Sequence, residues 1–221
     1  MKFLPLFAIA AMAQSLVEMP RIGCATDSLS RPFTLYGIRG LFAARAAGDD
    51  RVNWSACTAG FQVVSSSLGV ERINGEGRAV IAPGGRLIGI SREHVFLYWP
   101  EQASILEIGE RRERLIPIQE EEPVAAASSS SLVVLGSLHR GIRLRAGFLW
   151  PNRLSLGLSD SSVLLFMGPG RDPEAVPFSS GVTDIQPLSE QWALVRTERS
   201  SYAVTLREDR LDVFELPEPQ P

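Results

Sequence analysis

The chain has 221 residues and a formal net charge of -3, and Lys2 is its only lysine, so every other basic side chain except the two histidines is an arginine. A mildly acidic chain has no sequence-independent attraction for nucleic acid or anionic lipid, which excludes both as bulk electrostatic partners. With 45% hydrophobic residues it is long and apolar enough for one domain with a substantial core.

Lys2, the apolar stretch Phe3 to Ala13 broken only by Pro5, and the small residues of Ala11-Met12-Ala13 form the charged flank, apolar core and cleavage site of an export signal. Residues 1–13 are therefore predicted to be a signal peptide, cleaved before Gln14. The stretch is shorter than the roughly 20 apolar residues that span a bilayer, so no membrane span is expected once the signal is removed. The mature chain is expected in the periplasm or outside the cell. Residues 14–32, with Pro20, Ser28, Ser30 and Pro32, read as an extended lead-in. Gly23-Cys24 has the small residue of a lipid-anchor site, but it lies beyond the apolar core, after Glu18, Pro20 and Arg21. Cys24 and Cys57 are the only cysteines and read as a disulfide in an oxidising compartment, with two free buried thiols as the alternative.

Residues 33–217 are predicted to be a single all-β repeat domain, followed by a short tail at 218–221. Phe33 to Ile38 reads as a strand, and Leu41 to Ala47 as a helical turn confined by Gly40 and Gly48. Asp49-Asp50 reads as a turn. Five pairs of short apolar runs follow: Phe61 to Val64 with Leu68 to Ile73, Leu87 to Ile90 with Val95 to Trp99, and Val124 to Ala127 with Leu132 to Leu135; then Leu154 to Leu158 with Val163 to Met167, and Trp192 to Val195 with Tyr202 to Leu206. Runs this short, divided by Asn74-Gly75, Asp160-Ser161, Gly168-Pro169-Gly170 or Glu208-Asp209, are the signature of consecutive antiparallel hairpins.

Third members follow several pairs, at Ser104 to Ile108, Ile142 to Arg145, Ala175 to Phe178 and Leu211 to Leu216. Units of three or four short strands, each roughly 26 to 38 residues long, suit a radially repeated sheet, so a β-propeller of about five antiparallel blades is predicted. A β-sandwich or open barrel built from the same hairpins is the alternative. Val95 to Trp99, Leu132 to Leu135 and Val163 to Met167 are apolar on both faces, as strands between blades must be. Tyr202, Val204 and Leu206 alternate with Ala203, Thr205 and Arg207, which predicts one wetter face. Residues 33–57 are expected to close the ring against the C-terminal strand. The stretch Val182 to Glu218, with Gln191-Trp192-Ala193-Leu194-Val195 and Asp212-Val213-Phe214-Glu215-Leu216-Pro217, resembles the closing repeat of uncharacterised exported bacterial β-propeller-like proteins. That resemblance implies a fold and no reaction.

Chemistry is sparse in this sequence. His94 and His139 stand without a histidine, cysteine or carboxylate at ligand spacing, and Gly136 to Gly141 lacks the spacing of a nucleophile elbow, so no catalytic residue, metal ligand or cofactor is expected. Two features point to recognition. Arg140, Arg143, Arg145 and Arg153 gather guanidinium groups on and beside one predicted strand, suited to a carboxylate or acidic polymer, or else to a solvated edge. Trp99-Pro100 and Trp150-Pro151 each end a strand, where an indole stacks on a glycan or partner, or else packs between units. The leading functional expectation is a non-catalytic exported binding or scaffold module that contacts a protein or glycan through its blade-connecting loops. A hydrolase or lyase with a site in the central channel, and a structural component of an envelope assembly, are the alternatives.

Overall fold

The computed structural model describes residues 19–218 except 28, 39, 49, 119, 120, 129, 161 and 209. The predicted signal peptide 1–13, the tail beyond 218, and Asp49, Ser161 and Asp209 of the predicted turns lie outside the described residues. The fold is all-β, a propeller with five antiparallel blades in a ring. The first blade has three strands, β1 (Arg21–Thr26), β2 (Pro32–Ile38) and β3 (Leu41–Ala46). The second comprises β4 (Trp54–Cys57), β5 (Gln62–Ser66), β6 (Gly69–Asn74) and β7 (Gly77–Ala82); the third, β8 (Arg86–Ile90), β9 (Val95–Trp99), β10 (Ser104–Ile108) and β11 (Glu113–Pro117). A two-stranded hairpin, β12 (Pro123–Ser128) with β13 (Leu132–Gly136), stands next, followed by a small hairpin of β14 (Leu138–His139) and β15 (Ile142–Arg143). The fourth blade is β16 (Ala146–Leu149), β17 (Ser155–Leu158), β18 (Val163–Phe166) and β19 (Glu174–Val176); the fifth is β20 (Val182–Pro187), β21 (Trp192–Thr197), β22 (Ser201–Arg207) and β23 (Arg210–Glu215).

Four of the five sequence pairs thus lie within complete blades. The Val124–Leu135 pair instead stays two-stranded, and residues 21–46 form a blade of their own. Strand β1 falls inside the segment read as a lead-in. The helical turn expected at Leu41 to Ala47 is strand β3, because pairing from Ile38↔Leu41 to Phe33↔Ala46 overrides the local preference of its alanines. Nor does Ile142 to Arg145 add a third strand to its pair: β15 bonds only β14. With no outer neighbour among the described residues, β13 is only partly covered, whereas Val95, Phe96 and Leu97 of β9 are fully buried.

Apolar side chains hold the ring together at its seams. One cluster joins the second and third blades through Phe61, Val63, Leu97 and Leu106, and another joins the fourth and fifth through Phe148, Leu156, Val195 and Val204. The β12–β13 hairpin is wedged on both sides, by Ala126 against Ile88 and Phe96, and by Val124 and Leu135 against Leu149 and Phe166. The ring closes where Phe33, Leu35 and Ala44 of the first blade meet Leu188, Leu194 and Ala203 of the fifth, with Phe42 against Trp192 and Phe214. Closure is therefore by packing of residues 33–44 on the last blade rather than by strand pairing. It also corrects the expected wetter face of β22: Ala203 is fully buried in the cluster shared with the first blade, and Thr205 is 4% exposed with its hydroxyl donating to the Gln191 carbonyl.

Two glycines permit the close approach. A Cβ on Gly89 would collide with the carbonyl oxygen of Ala126, and one on Gly23 with that of Leu188. The remaining seam, between the first and second blades, carries no apolar cluster among the described residues. It is joined covalently: Cys24 and Cys57 form the disulfide expected from sequence, with Cα atoms 5.4 Å apart. Nearby, Arg21 donates to the Thr58 carbonyl, while Thr26 at the other end of β1 accepts from Arg196. Strand β1 therefore runs opposite to β4, which begins beside the Arg196 end and finishes at Cys57.

Candidate functional site

The structure disperses the residues singled out from sequence. Arg140 sits at the tip of the β14–β15 hairpin with φ 49°, donates to the carbonyls of Arg171 and Gly168, and lies 5.9 Å from the Phe166 ring centroid. Arg143 is exposed at the end of β15, and Arg153 is exposed in the β16–β17 turn with φ 69°. Arg145 lies between β15 and β16 and donates to the Val182 carbonyl at 3.0 Å. Of the four, only Arg143 lies within a strand. Trp150 is 3% exposed, donates its indole N–H to the Gln191 carbonyl at 3.1 Å and packs edge-on against Phe148. Trp99 is partly buried against the cluster that joins the second and third blades.

The histidines are also apart. His94 is 3.9 Å from Glu107, and His139 lies edge-on over Phe166, where burial first and the neighbouring Arg140 second push its imidazole below the ordinary value. Among the described residues no group of three or more histidine, cysteine, aspartate or glutamate side chains is placed to hold a metal ion.

Two places stand out instead, and neither is a simple sequence motif. The first is on the ring axis. The starts of β4, β8, β12, β16 and β20 and the end of β21 surround a cavity of ≈ 150 Å³, into which Asn53, Arg86, Arg145, Asp184, Gln186 and Arg196 project polar groups. Arg196 donates to Thr26 O at 2.6 Å, to Thr26 Oγ1 at 3.0 Å and to Gln186 Oε1 at 3.0 Å. Burial pulls its guanidinium below the ordinary value, and the charges of Asp184 and Asp27 only partly offset that.

The second is the outer edge of β13. Each complete blade ends in a strand that carries charge: Arg45 in β3, Arg78 in β7, Glu113 and Arg114 in β11, Glu174 in β19, and Arg210, Asp212 and Glu215 in β23. Charged side chains on an edge strand resist pairing with another chain. Strand β13, Leu132-Val133-Val134-Leu135-Gly136, carries none, and among the described residues it pairs only with β12. Beside it runs an open trough of ≈ 920 Å³ bounded by Pro117, Ile118, Leu132, Val134 and Leu138, with Glu121 at its rim and with Val134 38% and Leu138 53% exposed. The chain itself turns away from this edge. After β13, Leu138 N–H donates to Glu121 at 2.9 Å, and the β14–β15 hairpin leans on the fourth blade through His139 and Arg140.

No family model matches the chain, and no curated protein matches it. Among solved structures, it is similar to the CRINKLY WD40 ectodomain of the Arabidopsis thaliana receptor kinase ACR4, at 12% identity and a TM-score of 0.43 over 92% of this chain and 83% of that one. It is also similar to Hsv2 of Kluyvelomyces marxianus, at 13% identity and a TM-score of 0.33 over 92% of this chain and 74% of that one.

Proposed function

We propose that the protein is an exported, non-catalytic binding module that receives an extended segment of a partner protein along the free edge of β13. The observation that carries this reading is the contrast among the edges: the outer strand of every complete blade carries charge, and β13 presents an uncharged, partly exposed apolar ladder. A segment laid there would gain main-chain hydrogen bonds to the outer edge of β13, which pairs with no other strand than β12 among the described residues, and would seat alternate side chains in the trough. Export is supported by the apolar, lysine-flanked start of the sequence and by the disulfide, which persists in an oxidising compartment. Among the described residues no helix is long and apolar enough to cross a membrane.

The test places a photo-crosslinking residue at position 134 and, as a control, at the exposed Val80 on the charged edge β7. Supporting the proposal requires three results together: crosslinks from position 134 fall within one extended segment of one protein, amide exchange of Val133 and Leu135 slows in that complex, and Val134→Lys abolishes both while leaving the melting temperature unchanged. Crosslinks that scatter over unrelated proteins, crosslinks only to a second copy of this chain, or unchanged exchange at β13 would each overturn it.

A further inference from the structure

The axial cavity gathers more guanidinium groups than carboxylates. Five inner strands bring their first residues to it, and three of the contributed side chains, Arg86, Arg145 and Arg196, are guanidiniums. Arg86 donates through Nη2 to the Pro123 carbonyl at 2.5 Å and pairs with Glu122 at 3.0 Å. Arg196 meets Asp184 only at 3.5 Å. Arg145 has no carboxylate within ion-pair distance among the described residues. Three cations thus face two acidic partners, and Glu122 is itself half exposed.

The donor accounting is equally incomplete. The Nε atoms of Arg86 and Arg196 are both buried, and neither has a hydrogen-bond partner. Leaving a buried donor without an acceptor costs about 1 to 3 kcal/mol, and more when it belongs to a charged group, so two such donors around one cavity mark a place where an acceptor belongs. At roughly 30 Å³ per water, the space takes about five waters, or a compact acid of similar bulk. Asn53 and Arg145 are exposed, so the cavity opens to solvent on this side of the ring.

We propose that the mouth of the axial channel, formed by Arg86, Arg145 and Arg196, is a binding site for a small carboxylate. A planar carboxylate offers several lone-pair directions and matches the fork of N–H donors on a guanidinium. Gln186 and Asn53 supply neutral polar contacts beside it. Asp184 confines the anion to the Arg86 and Arg145 side of the cavity by repelling it from the Arg196 Nη1 side. The carboxylate belongs either to a free small acid or to an acidic side chain on a partner, and the chemistry of recognition is the same for both.

Calorimetric titration of the full-length protein at constant ionic strength tests the site with three probes: succinate, the capped tripeptide acetyl-Gly-Glu-Gly-amide, and inorganic phosphate. Arg145→Gln is the diagnostic variant, since Arg145 is exposed and makes one hydrogen bond to the fold; Arg140→Gln is the control at a distant arginine. The expected result is one saturable site for succinate, for the peptide or for both, weakened about tenfold or more by Arg145→Gln and unchanged by Arg140→Gln. Succinate alone points to a free acid; the peptide alone points to an acidic residue of a partner. The proposal is overturned if neither carboxylate saturates, if phosphate binds more tightly than both, or if Arg145→Gln binds as the wild type does. Arg196→Met, read by the same titration, adds a second arm where the variant keeps its wild-type melting transition.

Discussion

Breaking the Cys24–Cys57 bond is expected to open the ring at one particular seam. Every other seam is held by a cluster of buried apolar side chains, whereas the junction of the first and second blades has the disulfide and a few backbone contacts. For a separation of 33 residues, the chain-entropy relation assigns the crosslink about 3.7 kcal/mol at 25 °C. In a domain of this size each kcal/mol shifts the melting temperature by roughly 2 to 4 °C, so the loss amounts to about 7 to 15 °C. The variant to use is Cys24→Ala with Cys57→Ala, because both positions are buried and serine would leave an unpaired hydroxyl there. Differential scanning calorimetry gives the shift, and hydrogen exchange gives its location: amides of β1 and β4 should lose protection before those of β8 and β9. Reducing the wild-type protein should reproduce both. A double variant melting within about 3 °C of the wild type, or one whose protection falls evenly around the ring, would refute the idea that this seam depends on the crosslink.

Two further perturbations address the other seams and the acid limb. Gly89→Ala places a methyl group against the Ala126 carbonyl, backbone against backbone, and should cost about 2 kcal/mol or more in urea denaturation; Gly84→Ala, which meets nothing within 4 Å, should stay within about 0.5 kcal/mol of the wild type. Burial of Asp27 works to raise its pKa, yet the carboxylate accepts from the Arg31 N–H, the Arg31 side chain and the Leu29 N–H, and these hold it below the ordinary 3.8. A depressed folded-state value means that its contribution is complete above pH 3.8 and disappears as pH falls through the folded value. The difference in melting temperature between wild type and Asp27→Asn should therefore shrink on acidification through that window, and a difference independent of pH would contradict the assignment.

The architecture was legible because apolar runs such as Val95 to Trp99 are too short for helix and are buried on both faces. The disulfide was legible from the cysteine count and the expected export of the chain. What escaped was decided by tertiary partners. Leu41 to Ala46 has the composition of a helix and becomes a strand because β2 offers it a full ladder. Ala203 and Thr205 look like a wet face and are dry because Ala203 packs on the first blade and the Thr205 hydroxyl is taken up by the Gln191 carbonyl. The axial arginines come from three positions, residues 86, 145 and 196, far apart in the chain, so no local spacing announces them; the sequence pattern sets Arg145 beside Arg143 on one strand, but that strand ends at Arg143. The signal lies in the register of the repeats: Arg86 and Arg145 stand at or just before the first residue of an inner strand and Asp184 is the third residue of another, and propeller symmetry brings strand starts to the axis.

The hairpin β12–β13 is where the repeat pattern and the proposed docking edge meet. Its two strands seal the ring as well as a full blade does, since Ala126 and Leu135 are buried in the clusters on either side. Outer strands are therefore not required there for closure, and the chain after Gly136 is free to form a separate hairpin. Truncation has a physical consequence, however. In the complete blades the second strand is shielded on both edges, and the exposed outermost strand carries the charges; here the second strand is itself the edge, and it keeps the uncharged sequence of an interior strand. A protein with such an edge is exposed to edge-to-edge aggregation unless something covers it. A Val134→Lys variant that is both more soluble alone and defective in crosslinking from β13 would show that the same exposed ladder underlies the hazard and the recognition.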